Sequence, residues 1–302
     1  MPLVASSSHT NLSRGIAWLM LAVTLFVCMD SIAKFLTTQF PVAQIVWARY
    51  AFHLVAMLPV IIWYGPLRLA SSARPGLQIL RSLMLLAVTL LFNMGFHRLP
   101  LATVTAIGFA TPLVVTALAV PLLKEKVGPR RWVAVVVGFI GVLVVARPDS
   151  SGFNLAVLFP LAGSVCNACY QLATRALSGR DHALTTIFWT GLGGCIAISP
   201  TMPWIWQAPD LQGWLLLALY GAIGFFSHYM LILAFRHASA SVLAPFSYVQ
   251  LVLAIVAGII FFHNMPDVWT FVGATLICGS GLYVWHRQRL KAAVAGSESE
   301  ED

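Results

Sequence analysis

Residues 96–145 read "FHRLPLATVTAIGFATPLVVTALAVPLLKEKVGPRRWVAVVVGFIGVLVV", and residues 235–284 read "FRHASASVLAPFSYVQLVLAIVAGIIFFHNMPDVWTFVGATLICGSGLYV". The two stretches share a layout. Each opens on an aromatic residue followed by a basic one and turns through small residues. Each then runs through an apolar span, breaks at a polar segment and ends in a span dotted with glycine. Upstream, "SIAKFL" (31–36) matches "QLATRAL" (171–177), and Trp47 matches Trp189. A repeat of this length sets the architecture before any local reading does.

Composition names the solvent. Of 302 residues, 59% are hydrophobic and 9% are charged, whereas a soluble domain carries about a quarter of its residues as charges. A single soluble core does not hide that much apolar surface; lipid does. A span needs about 20 mostly apolar residues. Ten runs fit: 14–37, 42–64, 76–96, 101–123, 131–147, 154–177, 183–203, 212–235, 241–263 and 267–286. The expected fold is an all-α membrane protein of ten transmembrane helices arranged as two five-helix repeats. Five is odd, so the second copy enters the membrane inverted, an arrangement that places solutes near the midplane between the copies. The expected divisions are an N-terminal segment over 1–13, repeats over 14–147 and 154–287, and an acidic tail over 288–302.

The formal charge is +8. The basic residues are scattered singly at the ends of apolar runs, which fits a topology signal and not a phosphate-binding face. No nucleic-acid partner is expected. With the N-terminus inside, fourteen of the eighteen Lys and Arg residues fall on the cytoplasmic side, among them Arg68, Arg74, Arg81, Lys124 and Arg131. Arg98 and Arg147 fall outside, while Lys34 and Arg49 lie within spans. Both termini are therefore expected in the cytoplasm of a bacterial-type inner membrane.

The chain holds no G-x-x-x-x-G-K-[ST], no G-x-S-x-G and no H-E-x-x-H, so neither nucleotide-driven nor hydrolytic chemistry is indicated. Its five cysteines include a C-x-x-C at Cys166 and Cys169 without a second pair or a histidine cluster. No metal, no cofactor and no catalytic residue is expected. The chemistry lies in polar groups within spans. "VCMDSIAKFL" (27–36) carries Asp30 and Lys34 one turn apart on one helix face, and Arg49 reaches a similar depth in the second span. Ionisable groups facing lipid cost about 2.5–3.5 kcal/mol each, so these must pair, snorkel or face the interior. Two roles stay open: a structural staple between the first two spans, or a site where the acid holds one cation and leaves another for a solute. His53 extends this line one turn deeper. Thr111 with Pro112, and Pro245 with Tyr248 and Gln250, occupy matching places in the two copies. Asn167 and Gln171 share a face of the sixth span, His228 falls in the eighth, and Trp189 could stack an aromatic solute.

The "D...K" pair, "PVAQIVWARY" (41–50), "TPLVVTALAVPLLKEKV" (111–127) and the segment from Leu243 to Val284 together resemble the drug/metabolite transporter superfamily, in its ten-helix EamA group. That family often has Glu where this chain has Asn264, although Glu125 is kept in the first copy. The resemblance implies a secondary transporter and not an enzyme. Its partners would be membrane lipids, a small-molecule substrate and a proton or counter-solute; it does not fix an oligomeric state. The cations of the first two spans, with one acid among them, favour a zwitterionic or anionic metabolite, and the resemblance admits an amino-acid-like compound or an opine-type metallophore moving outward. The alternative is inward movement of a riboflavin-like or nucleoside-like compound.

Overall fold

The computed structural model describes residues 12–123, 128–146, 155–177, 180–238 and 240–298, and all regular structure among them is helical. The first half holds α1 (Leu12–Leu36), α2 (Val42–Ala56), α3 (Leu58–Tyr64), α4 (Pro66–Ala70), α5 (Pro75–Arg98), α6 (Leu101–Gly108), α7 (Thr111–Leu123) and α8 (Pro129–Ala146). The second holds α9 (Leu158–Leu177), α10 (Ala183–Ile198), α11 (Met202–Ile205), α12 (Leu211–His237), α13 (Ala240–Ser247), α14 (Val249–Phe262) and α15 (Val268–Glu298).

Among the described residues, eight helices are long and apolar enough to cross a membrane. A ninth span results if α2 and α3, which meet at 47°, are counted together. The bend has a local cause: Pro59 brings no N–H to the ladder, so the helix breaks at Met57. The run expected over 131–147 is a shorter apolar helix, Trp132–Ala146. Glu125, in the segment 124–127, lies outside the described residues, as do residues 1–11 and 299–302.

Element ends follow the turn chemistry. Pro75 opens α5, where its missing donor costs nothing. The Asp210 carboxylate caps α12 by accepting from Gly213 N–H at 2.7 Å. His263 takes φ 52° at the end of α14, which turns Asn264 N–H back onto the Gly258 carbonyl. In the broken span α6–α7, Pro112 cannot donate to Gly108, and the Thr111 hydroxyl bonds that carbonyl instead at 2.7 Å. The opposite break, between α13 and α14, falls at Tyr248.

Helix pairings are the same when the halves are exchanged. Helix α1 lies along α12, and α9 lies along α5; α2 packs on α12, and α10 packs on α5. Helix α1 meets α13 and α14 just as α9 meets α6 and α7. The remaining large contact joins α8 to α15, where glycines let the backbones close: a Cβ on Gly141 would lie 2.8 Å from the Gly273 carbonyl oxygen. Boundaries recur at nearly constant distances. Leu36, Val42 and Tyr64 return 141 residues later as Leu177, Ala183 and Ile205. Arg98, Gly108 and Leu123 return 139 residues later as His237, Ser247 and Phe262.

Candidate functional site

Arg49 is the centre of a buried polar cluster. It lies at the middle of α2 and is 5% exposed. Its Nη1 donates to Thr89 Oγ1 of α5 at 2.6 Å, and its Nη2 lies 3.4 Å from His228 Nε2 of α12. The Tyr50 ring lies beside the guanidinium, 5.1 Å from its carbon. Thr89 has no hydrogen-bonding capacity to spare. Its hydroxyl donates to the Leu85 carbonyl and accepts from Arg49, and Tyr50 Oη lies 3.0 Å away. These contacts hold both terminal nitrogens of Arg49 and leave its Nε buried without a partner. An orphaned charged donor in this setting is costly and favours any anion that reaches it.

Asp30 is half-buried in α1, and Arg49 acts on it electrostatically. Among the described residues it makes no ion pair and no hydrogen bond. Lys34 does something else. Its Nζ donates to the Phe96 and Leu99 carbonyls, at 3.0 and 2.7 Å, and so binds the carbonyls at the end of α5. The staple formed by Lys34 joins α1 to α5, not α1 to α2.

A cavity of about 310 Å³ leads toward this cluster from the end of the bundle that holds Asp181, Ala183 and Phe235. His53 and His228 line its deep part, and His53 Nε2 is buried without a partner. Arg81 also lines it. Counted from sequence among the cytoplasmic loop cations, Arg81 is instead 5% exposed inside α5. Its Nε donates to Thr174 Oγ1 at 2.7 Å and its Nη2 to Tyr170 Oη at 2.7 Å, both on α9. Its Nη1 donates to Thr190 Oγ1 at 2.6 Å and to the Thr186 carbonyl at 3.2 Å, both on α10.

The other expected residues scatter. Thr111 and Asn167 come together, with Asn167 Nδ2 3.4 Å from Thr111 Oγ1. Tyr248 stacks on Phe109 at 4.9 Å, and Gln250 is half-buried. Gln171 is exposed. Trp189 donates to the Ala70 carbonyl at 3.2 Å and fixes α10 against α4. Sequence reasoning missed Thr89, Tyr170 and Thr190, which carry no signal as lone hydroxyls in apolar runs. It missed Arg81 because a cation near a helix start resembles a loop residue. Among the described residues no three His, Cys, Asp or Glu side chains are placed to hold a metal, and the cysteines are free.

Two clasps tie the halves together. At one end the Asp181 carboxylate accepts from the Ser72 hydroxyl, from Ala73 N–H at 2.9 Å and from Gln78 Nε2 at 2.8 Å. Partial burial opposes its ionisation, but these donors outweigh that and hold the carboxyl below its ordinary value. At the other end of the α2–α3 pair, Gln44 donates to the Gln207 carbonyl at 2.7 Å and accepts from Gln207 N–H at 2.9 Å.

Comparison with known proteins agrees with a membrane carrier. The chain is 28% identical to the S-adenosylmethionine uptake transporter of Rickettsia prowazekii, over 91% of this chain and 94% of that protein. It is 29% identical to the riboflavin transporter of Vibrio cholerae, covering 90% and 92%. It is 27% identical to the pseudopaline exporter CntI of Pseudomonas aeruginosa, covering 88% and 94%. A crystal structure with 15% identity shares the fold, with a TM-score of 0.61 over 89% of this chain and 95% of that one. Residues 13–147 and 154–285 each match one and the same family, and on that ground the chain belongs to the EamA-like transporter family.

Proposed function

We propose that the chain is a ten-span secondary transporter of two inverted five-helix repeats. In this reading both termini are cytoplasmic in a bacterial-type inner membrane. Three observations support the repeat: the nearly constant spacing of helix ends, the pairings that are unchanged when halves are exchanged, and the two matches to one family. Counting α2 with α3 as one span and Trp132–Ala146 as another brings the total to ten.

The cargo in this proposal is a small zwitterionic or anionic metabolite held by its acid group. The observation that carries it is Arg49, a buried guanidinium with an unpartnered Nε beyond an open cavity. In this reading Asp30, on which Arg49 acts electrostatically, accepts the amine of an amino-acid-like solute, and Thr111, Asn167 and Tyr248 contribute polar groups farther along the path. The cavity opens at the end that carries Arg68, Arg74 and Arg180, so by the distribution of basic residues it faces the cytoplasm. Movement is outward for an amino-acid-like cargo, the direction for which CntI is named. A second reading, uptake of an adenosyl or flavin compound, is favoured by the relatives named for S-adenosylmethionine and riboflavin.

The experiment is flux of labelled amino acids, S-adenosylmethionine and riboflavin in proteoliposomes carrying the wild-type protein or Arg49→Ala. Saturable flux of an acid-bearing solute that vanishes in the variant supports the proposal. Flux of riboflavin alone, unchanged in Arg49→Ala, overturns it.

A further inference from the structure

Arg81 raises a question of charge that its hydrogen bonds do not answer. Four of its N–H groups meet neutral oxygens on α9 and α10. Hydroxyl and carbonyl oxygens satisfy donors, but they do not cancel a full positive charge in a low-dielectric interior. Among the described residues no carboxylate pairs with Arg81. The nearest acid on the cavity wall, Asp181, spends its oxygens on Ser72, Ala73 and Gln78. Deeper in, one acid, Asp30, faces the other guanidinium, Arg49. Among the described residues the path therefore sets two buried guanidiniums against a single, half-buried acid.

The placement of the two guanidiniums makes this surplus useful. Arg81 lines the cavity itself, and Arg49 lies just behind the His228 that forms its deep wall. A solute entering from the Asp181 end passes Arg81 before it reaches Arg49. Tyr170 Oη bonds a single Nη2 hydrogen and its ring lies under the guanidinium, 4.5 Å from the carbon. The group is thus fixed in orientation with one N–H still uncommitted. A carboxylate docking there gains a charge-assisted bond and removes the surplus charge in the same step.

We propose that Arg81 is a second anion-binding position on the solute path, and that the transported solute carries two carboxylates. This rests on reading Arg49 as the first anchor and narrows that cargo class from acids to diacids.

The test is the melting temperature of the purified full chain in detergent, titrated with probes that differ by one acid group: L-glutamate against L-glutamine, and succinate against succinamate. In the wild-type protein each diacid half-saturates at a concentration roughly tenfold or more below that of its amide. Arg81→Gln removes that preference and leaves the amide response. Arg49→Gln weakens all four probes. Should Arg81→Gln fail to fold, Tyr170→Phe keeps the ring under the guanidinium and frees a second Nη2 hydrogen, so the diacid preference rises. Absence of a diacid preference in the wild-type protein, including no response to any probe, overturns the proposal. So does a folded Arg81→Gln that keeps the preference, or a Tyr170→Phe that does not raise it. If Arg49→Gln binds every probe as wild type does, the first anchor is misassigned, and the role of Arg81 is read from its own variants.

Discussion

The two halves of this chain agree in their helices and disagree in their charges. At the nearly constant spacings of the helix ends, Asp30 faces Gln171 as its counterpart, Arg49 faces Thr190, Arg81 faces Tyr220 and Thr89 faces His228. Every buried ionised group of the cluster belongs to the first half; the second supplies hydroxyls, rings and a histidine. The contacts obey the same division, since Arg49 reaches across to His228 and Arg81 reaches across to Thr190 and Tyr170. Packing symmetry is a property of backbone and apolar volume, whereas solute binding needs a few asymmetric groups. A protein can keep the first while it specialises the second.

The largest expected effect tests that asymmetry directly. Arg49→Ala cuts flux by about ten- to more than a hundredfold, the loss of one good charge-assisted contact. Thr190→Ala, at the counterpart position, costs a few-fold. Equal losses in a proteoliposome assay would falsify the division of labour between halves.

Next in size is the pair Asp30 and Arg49. Asp30→Asn and Arg49→Gln each change the charge balance, and the double variant restores it. The double is expected to melt within a few degrees of wild type and to move no solute. A double variant with recovered transport makes the pair a structural staple.

Lys34→Met follows. It leaves the Phe96 and Leu99 carbonyls without their donor and lowers stability by about 1–3 kcal/mol in a denaturation assay. Flux per folded molecule stays near wild type, because Lys34 does not touch the cavity; a selective loss of flux would return Lys34 to the site.

The smallest effect concerns Asp181. Its depressed folded-state value means the clasp contributes stability above the ordinary carboxylate value, near 3.8, and loses it as the pH falls through the folded value. Asp181→Asn should flatten that acid limb of a melting-temperature profile below about pH 4 and lower the melting temperature modestly above it, where the ionised clasp contributes in full. An identical acid limb in the variant removes the clasp from the account.

Much of this scaffold was legible from residue order. Pro59 and Pro112 mark the bend and the first broken span through a missing donor, a local effect, whereas Pro245 lies inside α13, three residues before the second break at Tyr248. Runs of apolar residues marked nearly every long helix, with Trp132–Ala146 the exception in length. The cluster was half legible. Asp30 and Arg49 stood out because charges are rare in such runs. The partners of Lys34 did not, since they are backbone carbonyls 62 and 65 residues away. Arg81 misled because its position near a helix start resembles a loop, and only the three-helix packing of α5, α9 and α10 shows that it is enclosed.

The stack of Phe109 on Tyr248 carries a historical meaning. The two rings occupy equivalent positions, one in each broken span, and touch each other at 4.9 Å. In an assembly of two identical units, a residue that meets its own copy does so on the two-fold axis. If the halves arose by duplication, this contact began as one aromatic residue pressed against its own copy across a two-fold axis. Fusion then released the two positions to diverge, and they have done so by a single oxygen atom.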